Sequence, residues 1–118
     1  MIIDWHAHVY PPEVAAEPEW QGKCPLTIEK LLDAHERAGI DLCVVSNPVH
    51  YLKDKSPKES LSLIKRWNEY AAEIQEKHAD RILVFTSTVP GGGDAFLKEL
   101  ERAVRSYHMK GVIINPSH

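Results

Sequence analysis

The chain has 118 residues, of which 43% are hydrophobic and 26% charged, with a formal net charge of −3 and two cysteines. This is the make-up of one folded domain or a piece of a larger one, not of a disordered or disulfide-stapled chain. Lysines and arginines are scattered, so no basic footprint for nucleic acid exists, and no apolar run nears the roughly 18 residues of a membrane span.

The first element is a strand that begins at Ile2 and leads into Asp4-Trp5-His6-Ala7-His8. Met1-Ile2-Ile3 is too short for the apolar core of a signal peptide, so a cytoplasmic location is the default expectation. Successive side chains of a strand alternate between faces, which predicts that Ile2, Asp4, His6 and His8 share one. Two imidazoles on one face can close on a single ion, and a catalytic zinc takes about three protein ligands plus an open position. His6 and His8 are therefore candidate metal ligands and at most part of a site, with Asp4 either an orienting group or a buried acid bonded to neighbouring backbone or side chains.

Val9 to Pro25 reads as a loop that carries Tyr10 and Trp20, a possible part of a lid. Thr27 caps a helix with apolar positions Ile28, Leu31, Leu32 and Ala38, and Gly39 ends it. His35 falls on the apolar side of this helix and reads as half-buried packing. Leu42-Cys43-Val44-Val45 is a buried strand, broken by Asn47-Pro48, with Cys43 as a small packing residue. The loop from Pro48 to Lys55 holds His50 and Tyr51, which reach a substrate only if this loop lines the site, and Lys53 and Lys55, read as solvated.

Ser56-Pro57-Lys58-Glu59 predicts a helix start, followed by a face of Leu61, Ile64, Trp67, Ala71 and Ile74. Ile82 to Phe85 is a third strand. Gly91-Gly92-Gly93 lacks the Lys-Ser/Thr of a phosphate cradle and is a flexible connection. Asp94 is expected to cap a third helix with a buried stripe of Phe96, Leu97, Leu100, Ala103, Val104 and Tyr107. Val112 to Ile114 is a fourth strand, and Asn115, Ser117 and His118 follow it.

The order βαβαβαβ implies a parallel sheet, either doubly wound or a barrel. No glycine-rich dinucleotide fingerprint follows the first strand, and polar residues gather after strand ends, as in barrel enzymes. A whole (β/α)8 barrel takes about 250 residues. Residues 1–118 thus read as a single partial domain of the α/β class, the first half of a TIM-type barrel.

Ile3-Asp4-Trp5-His6-Ala7-His8 resembles the Asp-x-His-x-His opening of the amidohydrolase superfamily. Asn68, Asp80-Arg81-Ile82, Val89-Pro90, Glu99-Leu100-Glu101-Arg102-Ala103 and Lys110-Gly111-Val112 resemble its amidohydrolase-related branch, which includes aminocarboxymuconate-semialdehyde decarboxylase and resorcylate-type decarboxylases. The resemblance spans nearly the whole chain. It implies a divalent metal, zinc first and manganese second, held in part by His6 and His8. It also implies a small-molecule substrate, carboxylated or cyclic, and a hydrolase or non-oxidative decarboxylase. The remaining ligands and the catalytic acid–base residue are expected beyond His118, so the 118 residues need a C-terminal half or a homo-oligomer. Two rivals are a catalytically inactive half-barrel that serves as a binding or assembly module and a metal-dependent deoxyribonuclease or phosphoesterase.

Overall fold

The computed structural model describes residues 1–17, 26–47, 52 and 54–114. Among the described residues nine elements follow one another: β1 (Ile3–His8), α1 (Pro12–Ala15), α2 (Ile28–Ala38), β2 (Leu42–Ser46), α3 (Pro57–Lys77), β3 (Ile82–Val84), β4 (Thr86–Ser87), α4 (Asp94–Arg105) and β5 (Val112–Ile113). Strands β1, β2 and β3 form one parallel sheet in that order, and β4 and β5 form a second parallel pair. Among the described residues no helix is long and apolar enough to cross a membrane.

The third predicted strand is split at Phe85. Its first part pairs with β2, and the Phe85 amide still donates to the Val45 carbonyl at 2.9 Å. From Thr86 onward it pairs with β5, the Thr86 amide donating to the Gly111 carbonyl at 3.1 Å. One stretch of chain thus joins a neighbour on each side at different heights. This stagger is what a curving, tilted parallel sheet requires. The two short strands are one element in function, and the predicted βαβαβαβ order stands.

The helix starts follow their local chemistry. Thr27 accepts the Lys30 amide at 3.5 Å, and Gly39 closes α2 in the left-handed conformation at φ 75° that a Cβ disfavours. At α3 the full capping box forms: Ser56 Oγ accepts the Glu59 amide at 3.2 Å, and Glu59 accepts the Ser56 amide at 3.0 Å. At α4 the expectation fails, because the cap position is Gly93 and Asp94 sits in the first turn, where its charge meets the helix dipole. The predicted first loop also contains a turn of helix, α1, seeded by Pro12 in its first turn and closed over by Tyr10 and Val14.

The core lies between the sheet and the helices. Ala7, Cys43, Val45, Ile82 and Val84 meet Ile28 and Leu31 of α2, Trp67, Ala71 and Ile74 of α3, and Ala103 of α4. The alternation 43/45 and 82/84 identifies this as the helix-facing side of the sheet. Trp67 is fully buried, and its indole N–H donates to the Phe85 carbonyl at 2.9 Å, where the strand changes partners. Gln75 links α3 to the next layer, accepting the Val84 amide at 3.1 Å and donating to the Tyr107 carbonyl at 3.3 Å.

The α4 stripe is narrower than its pattern predicts. Phe96, Glu99 and Ala103 are buried, whereas Leu97 and Val104 are 63% and 47% exposed. Arg102 reaches Glu69 of α3, and Leu97 and Val104 lie on the opposite flank of α4. An acid takes the place of a leucine because it is paired. Arg102 grips Glu99 through Nε at 2.6 Å and Nη2 at 2.8 Å, and Asn68 donates to Glu99 at 3.3 Å. Thr86 Oγ1 donates to Asn68 at 2.6 Å, and the guanidinium lies 5.1 Å over the Tyr107 ring. The hydrogen bonds that Arg102 donates to Glu99 raise its pKa above the usual value. Asn68, Glu99 and Arg102, which carried the family resemblance, thus tie α3, β4 and α4 together.

Candidate metal centre

His6 and His8 come together as predicted. Their Nε2 atoms lie 2.9 Å apart, with ring planes at 89° and centroids 4.7 Å apart. His6 is exposed and His8 half-buried. Both Nε2 atoms could reach one ion at ~2.05 Å, so the pair fits two adjacent ligands of a single divalent ion.

Ser46 sets the His8 ring. The Nδ1 atom of His8 lies 3.3 Å from the Ser46 carbonyl and 3.0 Å from its hydroxyl. With its proton on Nδ1, His8 donates toward the Ser46 carbonyl and keeps its Nε2 lone pair for the contact with His6 or for an ion. Backbone carbonyls are common partners for the second nitrogen of a metal-bound histidine. Sequence reasoning passed over Ser46. Its signal is tertiary, since β1 and β2 pair in parallel with His8 opposite Ser46.

Asp4 does not share a face with the histidines. It pairs with Cys43, whereas Ala7 pairs with Val45, so three steps on β1 match two on β2. The extra residue breaks the alternation that the sequence pattern assumes. Asp4 consequently turns to the helix side with Cys43. There its Oδ2 accepts from His35 Nε2 at 3.1 Å, while its Oδ1 accepts the His6 backbone amide at 3.0 Å. His35 is 7% exposed. It is more than the half-buried packing residue its helical position suggests.

Asp4, His35 and Cys43 bring potential ligand atoms within 4.8 Å of one another. The trio is a poor nest for an ion as it stands. His35 Nε2 is engaged by the carboxylate, and burial, with Asp4 adding to it, pushes the Cys43 thiol up to about 12. Thiols bind metal as thiolates.

Two further groups sit at the ends of the sheet strands, Asn47 just after β2 and Ser87 as the last residue of β4. Both amide atoms of Asn47 and the hydroxyl of Ser87 are buried without a hydrogen-bond partner among the described residues. His50, Tyr51, Lys53, Asn115, Ser117, His118, Trp20 and Cys24 lie outside the described residues.

The sequence matches no family model, and it matches none of the curated proteins at a significant level. Solved structures do match. The 2,6-dihydroxybenzoate decarboxylase from Rhizobium superposes with a TM-score of 0.78 at 23% identity, over 97% of this chain and 38% of its own. The 5-carboxyvanillate decarboxylase from Sphingomonas paucimobilis gives 0.81 at 15% identity, over 97% of this chain and 42% of its own. A dihydroxybenzoic acid decarboxylase from Polaromonas, solved with bound manganese and 2-nitroresorcinol, gives 0.76 at 20% identity, over 97% and 38%. The chain is the first half of a (β/α)8 barrel. At these identities the likeness is one of fold, and the half-barrel spans about two fifths of the length of the structures it matches. The histidine pair ends β1 of the half-barrel, and barrel enzymes build their sites at the C-terminal ends of the strands.

Proposed function

We propose that the half-barrel is the metal-anchoring part of an amidohydrolase-superfamily enzyme, a metal-dependent non-oxidative decarboxylase or hydrolase acting on a small carboxylated or cyclic compound. The observation that carries this reading is the 2.9 Å approach of His6 and His8 at the end of the first strand. Neighbours of the same fold that decarboxylate dihydroxybenzoate and carboxyvanillate support the decarboxylase branch. The manganese bound in the Polaromonas enzyme supports manganese beside zinc as the candidate ion.

When bound, such an ion polarises a substrate oxygen and acidifies bound water. This chain's part is to hold the ion with His6 and His8, with Ser46 keeping the His8 ring in place. The remaining ligands and the acid–base residue come from strands beyond these four, and a C-terminal half or a second copy of the chain supplies the partner surface for β1 and β5. Equilibration with Mn2+ followed by metal analysis tests the anchor. Wild type is expected to retain the ion and the His6→Ala/His8→Ala double variant to lose it while staying folded, at a cost of about 1 kcal/mol because His8 is half-buried against Ser46. Equal metal content in the two proteins would reject the assignment.

A further inference from the structure

The extra residue in β1 decides which way the histidines point. Without it, pairing would run on from Asp4–Cys43 to place His6 opposite Val45 and His8 opposite Asn47. Both rings would then face the helix side, where Val45 is fully buried. A one-residue change of register turns every following side chain to the other face. With the extra residue, His8 pairs with Ser46 on the open side, and His6 meets it there.

An extra residue in a strand leaves the ladder locally disrupted, so something other than the ladder has to define its shape. Here the Asp4 carboxylate does so, since its Oδ1 takes the amide of His6 two residues on, at 3.0 Å. The carboxylate is in turn held from the helix layer by His35, at 3.1 Å through Nε2. His35 is fixed by its place in α2, whose Ile28 and Leu31 are in the main core.

We propose that His35 and Asp4 are a positioning pair for the metal histidines: α2 holds the Asp4 carboxylate through His35, and the carboxylate pins the His6 amide in the bulge that turns His6 and His8 to the open face. Neither residue touches the ion. The pair acts through the backbone of His6. The inference rests on the metal-anchor reading only for its consequence in metal affinity; the bulge itself is a property of the protein without metal.

The test compares wild type, His35→Leu, His35→Gln and the His6→Ala/His8→Ala control in two measurements. The first is Mn2+ titration followed by electron paramagnetic resonance of the free ion. The second is hydrogen exchange of the His6 amide without metal, with the Phe85 amide as an internal reference for the β2–β3 ladder. Leu removes the donor and Gln restores one. His35→Leu is expected to weaken Mn2+ binding about tenfold or more, as loss of a group behind a metal ligand does, and His35→Gln to stay within about threefold of wild type. The His6 amide should exchange faster in the Leu variant and recover in the Gln variant, while Phe85 stays protected in both. The inference falls if His35→Leu matches wild type in both measurements, if Gln is no better than Leu, or if wild type binds a second ion at Asp4, His35 and Cys43. Wild type binding no more Mn2+ than the double-alanine control would sink the metal anchor alone, and the His6 amide would still judge the bulge.

Discussion

The two faces of β1 solve opposite problems within six residues. The helix side is dry and filled: Ala7 and Cys43 are buried in one cluster with Leu31 and Trp67, and Asp4 and His35 enter it as a hydrogen-bonded pair. The open side carries exposed His6 and a Trp5 that is 68% exposed. Stability is concentrated on the first face and the candidate metal ligands on the second, with the bulge as the switch between them. The histidine pair can therefore be lost without unfolding the chain, and a substitution in the core can leave both histidines intact in identity yet unable to meet.

Tryptophan offers the widest contrast between the faces. Trp67 is fully buried and hydrogen-bonded, so Trp67→Ala should cost about 3–5 kcal/mol in urea unfolding, whereas Trp5→Ala should cost less than about 0.5 kcal/mol. Comparable losses at the two positions would erase the distinction. Cys43 sharpens it by reactivity. Its thiol is raised from 9.0 to about 12, first by burial and then by Asp4, so it should resist alkylation at pH 8 until the protein unfolds. The sign for stability follows: the folded state keeps the proton up to about 12 while the unfolded state releases it near 9.0. This contribution is complete below pH 9 and lost as the pH rises toward 12, a decline that Cys43→Ser or Cys43→Ala should flatten in pH-dependent melting. A gain in place of a loss is expected at Ser87, whose buried hydroxyl has no partner among the described residues. Ser87→Ala should raise the urea midpoint by the equivalent of about 1 kcal/mol with an unchanged slope, and a loss of stability would mean that the hydroxyl is satisfied after all.

Much of the fold could be read in advance because its signals are local. Ser56, Pro57 and Glu59 specify a helix start among themselves, and the apolar pairs Cys43/Val45 and Ile82/Val84 mark buried strands without reference to anything distant. His6 and His8 were legible for the same reason, being two residues apart. What escaped depends on register between strands. Asp4 was assigned to the histidines' face because alternation is all that a single strand reveals, and the bulge exists only relative to β2. Ser46 and His35 lie 38 and 31 residues from their partners, so neither interaction leaves a pattern in the sequence. Leu97 and Val104 show the converse error, in which a hydrophobic stripe promises burial that the neighbouring α3 covers on one flank only.

The split in the third strand carries a constraint of its own. A Cβ at Gly111 would stand 2.6 Å from the Phe85 ring, inside any tolerable contact, because the ring lies across the backbone where β5 begins. Phe85 is also the residue whose carbonyl receives Trp67, so the ring cannot simply swing away with its strand. Positions 85 and 111 are therefore a single evolutionary unit: a larger residue at one is admissible only after a smaller one at the other, and drift in related chains should show the two changing together or not at all.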